Sequence, residues 1–306
     1  MQRYIVVRLF HSLIALFAIT IIIFSLGHLT GNPLDILLPE DATDEDYAFV
    51  SKQWGLDRPL HIQYLTYMNN VLHGNFGESL KWRGKSVREL IFSRFPATVQ
   101  LAAVALLVSV AMALPIGVLA AVKKDTPFDY VGKIVALLGQ SLPSFWLGIV
   151  LMWVFAVKLG YFPTSGKGGL SHLVLPAIAL GWYQVAAIMR LTRSSMLDVL
   201  DSEYVKLARI KGLPEWKIIW KHCLRNAAVA PLTYFGLIFA TFLHGSVVIE
   251  TVFSWPGVGL LAIDAVFALD FPVVQSVVLF FSAIYILSNL LVDIAYAYLD
   301  PRIRYT

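Results

Sequence analysis

A Gly-Lys-Ser tripeptide, seven histidines, one cysteine and a few polar side chains inside long apolar runs are the residues here that can carry chemistry. Gly84-Lys85-Ser86 resembles the end of a phosphate-binding loop, which needs a glycine five residues earlier and an apolar strand leading in. That position is Ser79, and no such strand precedes it, so the chain is expected not to hydrolyse ATP. No histidine pair has H-E-x-x-H spacing or a carboxylate cluster nearby; His61 and His73 fit surface or capping roles. Cys223 is alone, which excludes an internal disulfide and a cysteine metal cluster, and its apolar setting suits a buried structural thiol. With no Ser/His/Asp grouping either, catalysis has no candidate. Gln140, Gln184, His244, Asn289 and Asp293 differ in kind, because a polar group in lipid is costly and implies a purpose. Interhelical hydrogen bonding and lining of a solute pathway both fit Gln184 and His244, and Gln140 is a further pathway candidate. Asp293 fits pairing with Arg302, Arg304 or a backbone group.

The elements that must position these residues are apolar helices. Of the 306 residues, 58% are hydrophobic and 14% charged, and the mean hydropathy is +0.70. A soluble domain carries about 25% charged residues, so this composition predicts an all-α integral membrane protein. The run Leu9–Leu29, behind Arg3 and Arg8, is too long for a signal-peptide core and predicts a retained spanning helix. Residues 30–96 are polar, hold the acidic patch Glu40, Asp41, Asp44, Glu45 and Asp46, and predict a small external domain with short helices near 44–54 and 60–73. Residues 97–306 hold five more runs: Thr98–Val122, Ile134–Leu159, Leu173–Leu191, Ala227–Ile249 and Gln275–Leu299.

Lys and Arg in the short connections orient the six spans. With the N-terminus inside, Lys123, Lys124, Lys133, the basic run from Arg190 to Arg225, Arg302 and Arg304 all fall inside, whereas the segment 250–274 has no basic residue. Residues 194–226 read as two short helices broken at Gly212-Leu213-Pro214. Tyr204, Leu207 and Ala208 share one face of the first helix. In the second, Trp216, Ile219, Trp220, Cys223 and Leu224 follow helical spacing, opposite Lys217, Lys221 and Arg225. A basic helix pair lying on anionic lipid is the bland alternative. Nothing surrounds the run to make a nucleic-acid-binding domain. The fixed break between two helices favours protein docking. On the opposite side, Glu250 and Phe253-Ser254-Trp255-Pro256-Gly257 predict either an aromatic interfacial belt with a tight turn or a gating segment, with Glu250, Asp264 and Asp270 making an acidic mouth.

Several ordered motifs resemble a known family. Tyr204-x-x-x-Ala208-Arg209-x-Lys211-Gly212-Leu213, then His222-x-x-Arg225-Asn226-Ala227 and Pro231, is similar to the EAA loop of bacterial ABC importer permeases. The nearest branch is that of the dipeptide, oligopeptide, nickel and glutathione importers. Met189-Arg190-x-Thr192-Arg193-Ser194-Ser195-Met196, Phe253–Gly259, Phe271-Pro272-Val273-Val274-Gln275, His73-Gly74-Asn75-Phe76-Gly77, Gly31-Asn32-Pro33 and Asp300-Pro301-Arg302-Ile303-Arg304 match in kind. The loop's opening Glu-Ala-Ala is here Lys206-Leu207-Ala208, so only its last alanine remains ahead of Gly212.

The resemblance implies a type I importer permease fold in the bacterial cytoplasmic membrane, with both termini cytoplasmic and no catalytic residue. It implies a second, similar permease, two ATPase subunits that use ATP and Mg, and an extracytoplasmic substrate-binding protein; no cofactor is bound by this chain and no nucleic acid is involved. Glu203, Tyr204, Ala208, Arg209, Lys211, Gly212, Leu213 and Pro214 would form the ATPase-coupling loop. Glu250, Phe253, Trp255, Pro256 and Gly257 would gate the mouth or meet the binding protein. Peptides are the implied solute, with nickel chelates and glutathione as alternatives. A secondary transporter would need an ionisable relay within the spans, and here intramembrane charge is nearly confined to Asp293.

Overall fold

The computed structural model describes the backbone of residues 2–29, 34, 38 and 42–299. The Gly31-Asn32-Pro33 motif, the tail from Asp300 and the side chain of Asp293 lie outside the described residues. Among the described residues the regular elements are helical, with one isolated antiparallel bridge between Glu78 and Ser86. The chain divides into two units, residues 1–96 with 257–306 and residues 97–256.

In the first unit, α1 (Gln2–Leu29) pairs with α14 (Phe271–Leu299). The side chain of Gln275 lies across Gly27, where a Cβ would fall 2.1 Å from Nε2. The outward face of α1 is apolar and exposed at Val6, Phe10, Leu13, Phe17, Ile22 and Leu26, a surface made for lipid tails rather than water. Two short helices follow, α2 (Asp44–Trp54) and α3 (Leu60–Leu72). Thr43 and Asp46 cap α2 reciprocally, and Gly55, at φ 68°, ends it in the left-handed conformation. The core of the unit joins the start of α4 (Val87–Val122), α13 (Val258–Phe267) and α14 through Val87, Leu90, Ile91, Leu261, Val273 and Val277.

The second unit takes the rest of α4 and is organised around α7 (Ser171–Leu200), which contacts α5 (Pro127–Ser141), α6 (Ser144–Leu151) and α11 (Val229–Gly245). Small residues let these helices approach closely, as is usual in membranes. Gly181 accepts a hydrogen bond from Ser109 Oγ at 3.0 Å. A Cβ there would lie 2.4 Å from that oxygen and 2.9 Å from the Ala105 carbonyl. Gly139 packs on Ala186, and Gly148 on Phe253.

Among the described residues, four helices are long and apolar enough to cross a membrane: Ile5–Gly27, Val87–Val122, Ser171–Leu200 and Phe271–Leu291. The expected span Ile134–Leu159 is a pair of helices, Pro127–Ser141 and Ser144–Lys158, bent by 106°. Pro143 causes the break: it offers no N–H and holds Leu142 extended (φ −86°, ψ 124°), so α5 must stop there. Counted as one span, the pair makes five. Over the fifth expected run, Ala227–Ile249, lie α11 and, after Ser246, α12 (Val247–Val252).

The 181/109 contact predicts that Gly181→Val forces α4 and α7 apart at a cost of about 1–3 kcal/mol. The thermal midpoint of the detergent-solubilised protein should fall by several degrees, and Gly181→Ala should sit between the two. An unchanged midpoint for the valine variant would show that the helices are not packed this closely.

Candidate functional site

The hairpin after α7 is built by its own backbone. Helix α8 (Glu203–Ile210) ends at Lys211, and Gly212 follows at φ 73°, a region that costs a side-chain-bearing residue about 1–2 kcal/mol. The Leu213 N–H donates to the Ala208 carbonyl at 3.2 Å and the Gly212 N–H to Arg209 at 2.9 Å. These two bonds are the Schellman pattern that closes a helix end on a glycine. Pro214 follows and starts α9 (Glu215–Lys217) with a fixed φ of −67°. Across the turn, Arg209 Nε donates to Glu215 Oε1 at 2.9 Å, while Lys206 pairs with Glu203 at 2.7 Å on the same helix. Asn226 Nδ2 donates to the Tyr204 hydroxyl at 2.8 Å and ties the end of the return limb to α8.

Of the face that helical spacing predicts, Ile219, Cys223 and Leu224 pack inward, and Trp216 and Trp220 do not. After α9 the chain runs as a π-helix, Ile218–Cys223, and then as α10 (Leu224–Ala227). A π-turn bonds i to i+5, so residues five apart stack on one side and the 3.6-residue register is lost. Ile218 and Cys223 are therefore the buried pair, packed with Val205, Met196, Val118 and Ala227. Burial pushes the Cys223 thiol above its ordinary range, so it stays protonated and unreactive at neutral pH. Trp216 and Trp220, expected on the packed face, are 63% and 45% exposed. Tyr204, Leu207, Ile210 and Leu213 are exposed too, and only Ala208 of the predicted face of α8 is half-buried. The hairpin thus presents six large apolar side chains outward from a fixed frame, a composition that marks contact surfaces.

The opposite end is buried where a contact surface was expected. Glu250, Phe253 and Trp255 are essentially without exposure, and only Pro256 is half-buried. Glu250 Oε1 accepts from Thr98 and Ser246 hydroxyls, each at 2.8 Å. Trp255 Nε1 donates to the Ala97 carbonyl at 2.8 Å, and the Phe253 carbonyl accepts from the Gly166 N–H at 2.8 Å. These residues shape a corner, with Ser254 at φ 48° as its strained point. Gly257, in the first unit, caps α13 with extended backbone. Asp270 is also fully buried; it accepts from the Ser79 hydroxyl, from the Lys81 N–H at 3.0 Å and from the Val273 N–H at 3.4 Å. Asp264, in the same unit as Asp270, lies 3.9 Å from Arg94.

Among the pathway candidates, Gln140 accepts from Arg190 Nη1 at 2.9 Å and Gln184 from the Tyr234 hydroxyl at 3.3 Å, both between helices. His244 is exposed, with Nδ1 3.0 Å from the Thr241 carbonyl on its own helix. Asn289 is half-buried. Asp129 was missed in the sequence. Its fully buried carboxylate takes two bonds from Arg193, at 2.7 and 2.8 Å, and one contact from Lys133 at 3.0 Å, fastening α5 to α7. The available signal was Thr126-Pro127-x-Asp129, a helix start with proline at its first position and an acid two residues on.

Long helices with lipid-suited outer faces define a multi-pass helical membrane protein. The chain belongs to the binding-protein-dependent transport system inner membrane component family, whose description matches residues 113–305, with the matching N-terminal description covering residues 1–102. Similar relatives include the oligopeptide transport system permease protein AppB of Bacillus subtilis, 37% identical over 316 residues and the full length of both chains. The glutathione transport system permease protein GsiC of Salmonella choleraesuis is 41% identical over 306 residues, again over both full lengths. The di/tripeptide transport system permease protein DppB of Pseudomonas aeruginosa is 40% identical, covering 94% of this chain and 95% of its own. A crystal structure of an amino acid ABC transporter with histidines matches in fold at a TM-score of 0.52 and 17% identity, over 70% of this chain and 94% of that one. The chain is thus a permease subunit of an ABC importer, an inner-membrane protein that works in a complex with a substrate-binding protein and an ATPase.

The π-helical register makes a specific prediction. Ile218→Ala should destabilise the solubilised protein by about 2–5 kcal/mol, as large-to-small changes in a core do, whereas Trp216→Ala should stay within about 0.5 kcal/mol. Thermal unfolding of the two variants checks this, and the reverse order would restore the 3.6-residue register.

Proposed function

We propose that this permease passes peptides through the membrane and is moved by an ATPase seated on the hairpin 203–227. The observation that carries the coupling role is the row Tyr204, Leu207, Ile210, Leu213, Trp216 and Trp220, exposed on a frame closed at Gly212. Leu213 and Pro214 sit at the tip, and the Arg209–Glu215 pair stiffens the turn beneath it. The arrangement in this reading has six spans, counting the bent pair as one and α11 as another, with both termini cytoplasmic and residues 30–96 external. The chain pairs with a second, similar permease and two ATPase subunits, which use ATP and Mg, and the binding protein delivers solute to the external side. Gln140, Gln184 and His244 are the proposed pathway residues. Peptide is preferred because full-length relatives carry that solute in their names, and glutathione, itself a tripeptide, is the second reading for the same reason. The chain supplies the path and the binding protein most of the selection.

The test is Gly212→Asp in the assembled importer. A Cβ at Gly212 meets nothing within 4 Å, so the variant folds with only local strain. The new charge and the distorted turn fall on the docking surface. Peptide uptake should drop at least roughly tenfold, the effect of about 1.4 kcal/mol at an interface, with membrane insertion unchanged. Normal uptake with normal peptide-stimulated ATP hydrolysis would remove the hairpin from the coupling path.

A further inference from the structure

Asp129 has no exposure, yet its carboxylate gathers donors from three directions. Arg193 Nε and Nη2 of α7 donate to its two oxygens at 2.7 and 2.8 Å, and Lys133 Nζ lies 3.0 Å from Oδ2. The Asp125 N–H donates to Oδ2 at 3.1 Å. That last bond holds the turn between α4 and α5, where Asp125 sits at φ 60°, a conformation that non-glycine residues seldom adopt. One carboxylate thus joins the α4–α5 turn, the first turn of α5 and α7.

The same stripe of α7 reaches the hairpin. Met189, Arg193 and Met196 recur at helical spacing and so lie on one face. A Cβ on Gly132 of α5 would fall 3.9 Å from Met189 Sδ, and one on Gly117 of α4 2.8 Å from the Met189 carbonyl. Met196 packs in the core that carries Val205, Ile218 and Cys223 of the hairpin. Arg193 therefore holds α5 less than one helical turn from the residue on which the hairpin rests.

A buried ion pair is a poor adhesive, because desolvation offsets most of the Coulomb attraction and apolar residues of similar volume hold as well or better. What the pair adds is direction. The contacts of Gly132 with Met189 and of Gly139 with Ala186 are apolar and non-directional, so they let the helices slide. A guanidinium fork on both oxygens of one carboxylate allows one register. Register matters here because α5 has no straight continuation to steady it; it is bent by 106° from the helix that follows.

We propose that Asp129 and Arg193 are positioning residues for transport: their pair fixes the register of α5 on α7, so that a displacement of the hairpin is handed to α5 instead of being lost in sliding. The inference rests on the seating of an ATPase on the hairpin.

The double variant Asp129→Leu/Arg193→Met, in the assembled importer, tests it. Lys133 is 46% exposed and can turn to water, so no buried charge is left unpaired and the thermal midpoint should match or exceed wild type. Spin labels at Leu137 of α5 and Arg225 of the hairpin's return limb, both exposed, read the register by double electron–electron resonance in a Cys223→Ala background. With the pair intact, the distance should be the same in the nucleotide-free and vanadate-trapped states. In the double variant it should shift and broaden between them, and the trialanine carried per ATP hydrolysed should fall roughly tenfold, the scale of an allosteric coupling. Arg193→Lys keeps a charge pair without the fork, so it should fall in between, and it decides the matter if the double variant does not fold. Wild-type distances in the variants, or a distance that changes between the two states with the pair intact, would overturn the assignment. Photo-crosslinking at Leu213 keeps the two readings apart. An ATPase adduct there beside an unaltered double variant removes the register lock alone, whereas no ATPase adduct in either state removes the seating of the ATPase.

Discussion

Everything the hairpin can do depends on one buried contact, the packing of Val205, Ile218 and Cys223 against Met196, Val118 and Ala121. Val118 and Ala121 belong to the last turns of α4 and Met196 to those of α7, so the hairpin is fixed by its apolar underside to two long helices. A close-packed contact transmits displacement because it cannot be compressed without loss. Without it, six outward apolar side chains on a basic loop would be a sticky surface. With it, a force on that surface becomes a force on the spans. The turn at Gly212 matters in the same way, since its two backbone hydrogen bonds set the angle between the limbs without using any outward side chain.

The second constraint is that lipid offers no hydrogen bonds, so the three buried acids among the described residues have each been given donors. Glu250 takes two hydroxyls, Asp270 a hydroxyl and two backbone N–H groups, and Asp129 a bidentate guanidinium. These groups act as pins, each joining segments far apart in sequence within its own unit.

Much of this was legible beforehand. Apolar runs, the basic connections and the ordered motifs from Met189 to Gln275 led to the membrane class and the family, and Gly212 before Leu213-Pro214 marked the turn. Three features were not legible, each for a local reason. Hydropathy cannot see the 106° break, because Leu142-Pro143 lies inside an apolar run and only the backbone rule for proline marks it. In 216–224, Ile219, Cys223 and Leu224 pack as the spacing predicts, but Trp216 and Trp220 face outward and Ile218 inward, because periodicity assumes 3.6 residues per turn and the π-turn changes it. Trp255, Phe253 and Glu250 were expected at a surface because aromatics and acids in a loop often are, while their burial depends on Ala97, Thr98 and Gly166, distant in sequence.

The central claim is that the outward row of the hairpin is covered by the ATPase. Placing a short-range photo-crosslinking residue at Leu213, the tip of the turn, and irradiating the assembled importer in its membrane tests this directly. The account predicts that the dominant adduct is with the ATPase subunit and that its yield changes between nucleotide-free and ATP-bound states. Adducts with lipid alone, or with no partner in either state, would contradict it.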